Sequence, residues 1–377
     1  MRLAIPSLIL FGYVVASLIL FMPCRLPVKL AAGVALLAVS LKYPVYEKIG
    51  GSFIAPDLPR PLLLSMEVLY AAMVILFFML LIKDALAVLL WLSRCLGTSW
   101  HLPFAPVRSG GLAVAALVLA AFGTWQSLRV PDVRTVEVTL PDLPAGLDGF
   151  TIVQLSDIHI GSLLKGDWLR GVVAKTNALA PDLVAVTGDM IDGSPAALAA
   201  DIAPLGELRA KHGVYGVTGN HEYYFRVEEW LPVFQRLGIV MLHNEHRVLS
   251  VKGVDLVIAG LPDHAEQQFG GPGPDIRKAL EGAPEAVRVL LAHQPHGVSG
   301  NTGADIRLSG HTHGGLLLPM KMLMAAFNGG FVGGLYDVDG MKLYVSPGTG
   351  LWSGFSCRVG VPSEISRIVL RAQDNEQ

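Results

Sequence analysis

The stretch Thr151-Ile152-Val153-Gln154-Leu155-Ser156-Asp157-Ile158-His159-Ile160-Gly161 decides how the rest of the chain is read. Thr151–Leu155 is a short run rich in β-branched and apolar residues, which predicts a strand, and it breaks at once into Ser, Asp and His. Four further runs repeat the arrangement. Leu183–Thr187 leads into Gly188-Asp189, and Val214–Thr218 into Gly219-Asn220-His221-Glu222. Val287–Ala292 leads into His293, and Ile306–Ser309 into Gly310-His311-Thr312-His313. A polar side chain directly after a strand is carried out of the sheet edge. In open α/β sheets ligands collect at the carboxyl ends of the strands, so five such ends can meet at one point.

The chemistry gathered there is that of a metal site. Carboxylate, amide and imidazole donors with no cysteine suit Mn, Fe, Zn or Ni. Two Asp, one Asn and at least four His exceed what one ion with open positions needs. Two ions sharing a bridging carboxylate use them economically. Side chains two apart on an extended chain point the same way, so Asp157 with His159, and His311 with His313, read as paired donors. Gly161, Gly314 and Gly315 let the backbone come close to the ions. Any one of these histidines alone reads equally well as an ordinary loop residue; five motifs in this order, each after a strand, do not.

Taken together the motifs resemble those of the calcineurin-like metallophosphoesterases over about Phe150 to Leu370. Gly310-His311-Thr312-His313 and Gly219-Asn220-His221-Glu222 are the most specific of them. The stretch from Val153 to Gly161 looks like the bacterial branch whose catalytic domain follows a membrane anchor or export signal. The resemblance implies an α/β fold, a four-layer α-β-β-α sandwich of two sheets packed face to face. It implies two divalent metal ions. One would take Asp157, His159, His313 and the bridging Asp189, the other Asp189, Asn220, His293 and His311. His221 matches the family's non-ligand histidine, which stabilises developing charge or protonates the leaving oxygen. The implied reaction is hydrolysis of a phosphodiester, pyrophosphate or phosphomonoester, with hydroxide held between the ions attacking phosphorus directly.

Hydrophobic residues make up 52% of the 377, and charged residues only 16%, too apolar for an ordinary soluble enzyme. The excess is localised. Residues 1–128 carry nine Lys+Arg against four Asp+Glu, and 129–377 carry 20 against 27. An acidic catalytic half grips polyanions poorly, so no nucleic-acid partner is expected. Cys24, Cys95 and Cys357 have neither metal nor redox spacing.

The first 128 residues read as an all-α membrane domain with three or four spans. Leu3–Met22 is 20 residues without a charge and lacks a small-x-small cleavage site, which favours an uncleaved anchor. Leu30–Leu41 is short and spans only if Lys29 and Lys42 snorkel. Leu62–Ile82 is a strong span, with Glu67 expected to reach the headgroups. Ala85–Leu92 reads as an interfacial segment and Gly110–Trp125 as the last span. With four spans, Arg2, Lys42, Lys48, Arg60, Arg129 and Arg134 lie inside, and Arg25, Lys29, Lys83, Arg94 and Arg108 outside. Six against five leans by one charge to a cytoplasmic catalytic domain. A bacterial inner (plasma) membrane is the expected location.

Residues 129–149 read as a linker with a leading edge strand, 150–371 as the catalytic domain and 372–377 as a tail. Within the domain, Glu222 is expected to orient His221 and Asp192 to cap a turn. His264 is expected near the substrate entrance, with His296 behind the site or exposed, and Arg358 as a phosphate contact. Leu316–Phe327 is apolar apart from Lys321. It reads either as a substrate cap or as a buried helix. If exposed, it would meet lipid or an acyl chain, which makes a lipid-linked phosphate the leading substrate class and the bilayer a partner. The alternatives are a tethered phosphodiesterase or phosphatase for soluble nucleotides or phosphoproteins, and a non-enzymatic interaction module.

Overall fold

The computed structural model describes residues 3–97, 106–297, 303–352 and 354–373. Arg2, the side chain of Arg108 and residues 374–377 of the expected tail lie outside the described residues. The chain forms two compact units, one of Met1–Gln126 with Gly354–Val359, the other of Ser127–Ser353 with Gly360–Gln377.

The first unit is helical: α1 (Ala4–Ser17), α2 (Leu26–Ser40), α3 (Lys42–Ile49), α4 (Arg60–Cys95) and α5 (Pro106–Leu128). Pro27 and Pro61 stand in the first turns of α2 and α4, where their missing N–H costs nothing. Three helices are long and apolar enough to cross a membrane, and the α2–α3 pair, bent by 59°, makes a fourth if counted as one span. Ala85–Leu92 is not a separate interfacial segment. It continues α4, a 36-residue helix that runs about 54 Å at 1.5 Å per residue. Nothing between Ile82 and Ala85 breaks a helix. The charges at Lys83 and Asp84 are absorbed by α1: Tyr13 Oη donates to Asp84 at 2.8 Å, and Lys83 Nζ donates to the Ser17 carbonyl at 3.2 Å.

Lys42 and Glu67 do not reach for the headgroups. Both are buried, with Lys42 Nζ 2.8 Å from Glu67 Oε2. Tyr46 Oη donates to Glu67 Oε1 at 3.0 Å, and the rings of Tyr43, Tyr46 and Tyr70 surround the ammonium group at 4.6–5.7 Å. Lys42 Nζ and Tyr43 Oη both donate to the Gly354 carbonyl at 2.9 Å, and Ser356 N–H donates to Glu67 at 3.3 Å. Opposite charges inside an apolar bundle gain more from each other than from a stretched reach to water, and here the pair also binds a strap from the far end of the chain. Gly123 on α5 is required for that strap, because a Cβ there would stand 2.6 Å from Cys357 Sγ and 2.9 Å from the Arg358 carbonyl.

The second unit holds two six-stranded sheets. The first comprises β1 (Asp132–Leu140), β2 (Thr151–Leu155), β3 (Leu183–Thr187), β4 (Val214–Val217), β5 (Ile239–Met241) and the C-terminal strand Glu364–Ala372. The second comprises β6 (Glu245–Val251), β7 (Val254–Gly260), β8 (Val287–Leu291), β9 (Ile306–Ser309), β10 (Gly334–Val338) and β11 (Met341–Val345); Glu364–Ala372 is then β12. Their orders are β1-β12-β2-β3-β4-β5 and β10-β11-β9-β8-β7-β6. Strands β2 to β5 run parallel, with α6 (Gly166–Ala178), α7 (Pro195–Ile202) and α9 (Val227–Arg236) as crossovers. The turn of helix between β4 and α9 is α8 (Asn220–Tyr224). Leu169, Val172, Val173 and Thr176 of α6 are buried, as their spacing predicts.

The inner faces share one core. Ile152, Leu183, Ala185 and Val217 of one sheet meet Leu256, Ile258, Val289 and Leu308 of the other. Helix α10 (Ile276–Ala279) covers the outer face of the second sheet with Ala279 against Ala259 and Leu290. This is the four-layer α/β sandwich. In the edge hairpin β10–β11, closed by Asp339-Gly340 at positive φ, Lys342–Val345 of β11 reads as a strand from sequence, whereas β10 carries no strand signal because it is half-exposed and polar at Asp337. Because β2, β3 and β4 are parallel, as are β8 and β9, the motif-bearing ends within each sheet lie along the same edge.

Candidate metal centre

Five of the seven candidate ligands sit in left-handed backbone: Asp157 (φ 53°), His159 (φ 50°), Asp189 (φ 53°), His311 (φ 70°) and His313 (φ 48°). The pairs Asp157/His159 and His311/His313 therefore do not converge by extended-chain alternation, as their spacing alone predicts. Each turns sharply, at roughly 1–3 kcal/mol per residue, a strain kept up by the surrounding structure. Asp and His tolerate this region better than β-branched residues do. The turns are locked to one another. Asp157 N–H donates to the Gly188 carbonyl at 3.1 Å and His159 N–H to the Asp189 carbonyl at 3.0 Å.

Three glycines make room. A Cβ on Gly310 would stand 2.4 Å from Asp157 Oδ2, and one on Gly219 2.2 Å from Asp189 Oδ1. One on Gly188 would stand 2.6 Å from the Gly219 nitrogen. Across the sheets, Gln154 Nε2 donates to Thr187 Oγ1 and to the Ser309 carbonyl, which ties the ends of β2, β3 and β9 together.

The donors fall into two groups around Asp189. In one, His159 Nε2 lies 3.2 Å from His313 Nε2, and His313 Nε2 lies 3.5 Å from Asp157 Oδ1. In the other, His311 Nδ1 lies 3.2 Å from His293 Nε2. Asp189 Oδ2 stands between them, 3.8 Å from His159 Nε2 and 3.1 Å from His293 Nε2. His311 and His313, two residues apart, thus go to different groups.

This donor set fits divalent ions. His293 Nδ1 donates to the Thr187 carbonyl at 2.8 Å, which leaves Nε2 bare toward the cluster. His159 Nδ1 donates to Asp192 at 3.1 Å with the same result. Such outer partners fix the tautomer of a ligating histidine. Asn220 Oδ1 is buried and, among the described residues, has no hydrogen-bond partner. A buried amide oxygen without a partner is costly unless a cation takes it.

Electrostatics agree. Burial acts to raise the Asp189 carboxyl, but His293 and His221 outweigh it and hold it well below the usual range. Burial and the neighbouring His293 push His311 down to about 3.

His221 projects from α8. Its Nδ1 donates to Asp192 Oδ1 at 2.5 Å, and its Nε2 lies 3.9 Å from Asp189 Oδ2. Burial opposes its protonation, yet Asp189 and Asp192 raise it to about 9. The orienting task expected of Glu222 therefore falls to Asp192, which is buried and shared by His159 and His221 rather than capping a turn. The three-residue step from Asp189 to Asp192 was its only sequence signal. Glu222 instead accepts the backbone N–H groups of Asp189 (2.9 Å), Met190 (2.7 Å) and Gly219 (2.6 Å). It clamps the β3 turn to the start of α8, and burial together with the Asp189 charge pushes it up to about 7.

His264 and Arg358 are the two residues expected at the substrate. The His264 ring stacks on His296 at 4.5 Å, and both are half-buried. Arg307, buried on β9, holds their neighbourhood by donating to the Gln294 and His296 carbonyls. Arg358 belongs to the strap Gly354–Val359 and is buried, with its N–H donating to the Gly123 carbonyl at 3.3 Å.

The sequence pattern of the calcineurin-like phosphoesterases matches residues 150–315, which contain all seven candidate ligands. A Danio rerio transmembrane protein with metallophosphoesterase domain is 37% identical over 270 residues, covering 68% of this chain and 61% of that protein. A Bos taurus protein of the same description is 35% identical over 281 residues, covering 71% of this chain and 63% of that protein. A metallophosphoesterase of Campylobacter jejuni is 34% identical over 311 residues, covering 81% of this chain and 80% of that protein. The chain thus spans less than two thirds of the length of the two vertebrate relatives.

Proposed function

Since the chain belongs to the calcineurin-like metallophosphoesterases, we propose that the cluster around Asp189 hydrolyses phosphate esters with the help of two divalent cations, and that its substrate is lipid-linked. One observation carries the hydrolytic reading: Asp189 Oδ2 stands 3.1 Å from His293 Nε2 and 3.8 Å from His159 Nε2, between two sets of donors. Asp157, His159 and His313 would hold one ion with Asp189, and Asn220, His293 and His311 the other. When bound, the ions would neutralise the phosphate and lower the pKa of a bound water to about 7. His221 delivers a proton to the leaving oxygen through Nε2, and Asp192 keeps its ring aimed at the cluster. Glu222 keeps the Asp189 turn and α8 in register.

Metal content and hydrolysis of bis-p-nitrophenyl phosphate, measured on the detergent-solubilised full chain supplied with Mn, test this. The wild type is expected to carry close to two ions. Asp189→Asn is expected to carry fewer, and to lose more than the roughly 100-fold typical of outer-partner changes. A wild type without metal, or an Asp189→Asn variant with full activity, sinks the reading.

The lipid-linked part rests on the segment after His313. Leu316 and Leu317 are buried, and the chain then forms a 3-10 turn and helix α11 (Lys321–Phe327). A Cβ on Gly315 would stand 2.8 Å from Lys321 Cα, so α11 starts against the glycines that follow the cluster. Leu318, Met322, Leu323 and Phe327 are 63%, 85%, 54% and 75% exposed. The segment is exposed rather than a buried helix, which supports the reading as a substrate cap. Four large apolar side chains on one short helical segment are a surface for another apolar body, here an acyl chain. The variant with Leu318, Met322 and Phe327 all changed to Ser is expected to lower the ratio of kcat/KM for the dodecyl over the ethyl ester of p-nitrophenyl phosphate by roughly tenfold. An unaltered ratio counts against a lipid-linked substrate and favours a soluble one.

A further inference from the structure

We infer that Tyr224 and Phe269 form a shelf for a planar ring on the leaving group of the substrate, which makes a nucleoside the group that departs. This rests on the hydrolytic reading above and adds the chemistry of one side of the ester. Tyr224 is the last residue of α8, one turn after His221, and its ring centroid lies 5.5 Å from that of His221. Phe269 ends a 3-10 turn, His264–Phe269, that is capped by Asp263 and closed by Gly270 at φ 87°. Its ring lies 6.3 Å from Tyr224. His221 meets the leaving oxygen, so whatever is attached to that oxygen reaches these two rings first.

The shelf is built rather than incidental. Tyr224 is 45% and Phe269 58% exposed, although large aromatic rings normally bury most of their area. Phe269 is seated on Tyr223, a buried ring 6.2 Å away and inclined by only 30°. Tyr223 is fixed in turn by its hydroxyl, 3.1 Å from Thr218 Oγ1. Tyr224 packs against the His221 ring. Both rings are thus part-exposed, and Phe269 rests on a buried aromatic floor.

The charged groups acting on Tyr223 and Tyr224 are the carboxylates Asp189, Glu222, Asp263 and Glu266. They disfavour a second anionic group and suit a neutral heteroaromatic ring. Stacking of a base on an aromatic side chain contributes about 1–3 kcal/mol, roughly tenfold in affinity.

The test compares three methyl phosphodiesters on the full chain with Mn. They are the 5′-esters of adenosine and of ribose without a base, which share the same departing oxygen, and a decyl ester. The wild type is expected to prefer the adenosine ester over the ribose ester by about tenfold in kcat/KM, and Phe269→Ala to bring that ratio near one. A wild-type ratio near one, a tenfold preference that survives Phe269→Ala, or an equal loss on the decyl ester in Phe269→Ala overturns the shelf. The analogues in which a CH2 replaces the departing oxygen, measured by calorimetric binding, give the same ratio without turnover. If no ester is cleaved, the hydrolytic reading fails, and the binding ratio still decides the shelf.

Discussion

Replacing His221 by alanine lowers kcat by about 10²–10⁴-fold, the range for loss of a positioned acid or base, and leaves the metal content of the wild type in place. The geometry gives His221 two possible occupations, and this variant separates them. Its Nε2 is near enough to Asp189 and His159 to join a donor group with them. Its Nδ1, however, is tied to Asp192 at 2.5 Å, and its Nε2 stays 3.9 Å from Asp189 Oδ2, while His293 approaches that atom to 3.1 Å. The closer histidines are the better ligands, which leaves His221 facing the reacting atoms. Asp192→Asn removes the charge that anchors both His221 and His159, and a loss of roughly 10–100-fold is expected. Metal analysis and steady-state rates on the same preparations check both variants. An ion lost with His221→Ala would make that residue a ligand and leave the proton donor to be found elsewhere.

Lys42→Met and Glu67→Leu, each alone, destabilise the helical unit by about 3–5 kcal/mol, and the double variant recovers most of the loss. Each single change leaves a buried charge without its partner, the costliest state such a group can have. The double change leaves an apolar core of similar volume. The difference is unusually readable here, because the Gly354 carbonyl loses a donor with Lys42 and the Ser356 N–H loses an acceptor with Glu67. Thermal unfolding of the detergent-solubilised chain gives the energies, and limited proteolysis near Gly354 reports whether the strap has come loose. Single variants that melt with the wild type and keep the strap protected would contradict this account of how it is held.

The strap follows Thr349-Gly350, and these two residues rest directly on the cluster. Their N–H groups donate to the carbonyls of Ser156 (2.7 Å) and Asp157 (2.9 Å). A Cβ on Gly350 would stand 2.1 Å from the Ile158 carbonyl. The chain at Thr349-Gly350 thus braces the Asp157 turn before it continues into the strap.

Local patterning sufficed for much of this. Alternating strands and helices, each strand ending in Asp, Asn or His, determined the α/β class and marked the strand ends where the candidate ligands stand. Apolar runs marked a helical half with three or four spans. Both signals are local: a strand end or an apolar run shows itself in the few residues that compose it. What only the tertiary structure decided depends on groups far apart in sequence. The left-handed turns at Asp157, His159, Asp189, His311 and His313 exist because neighbouring loops hold them, and extended-chain spacing predicts the wrong geometry. Asp192 looks like a cap until α8 brings His221 to it, and the burial of Arg358 in the strap has no local sequence signal. Lys42 and Glu67 each look like a charge escaping to water. They become a pair because the fold places them 2.8 Å apart where water is excluded, and an excluded charge must find its partner there.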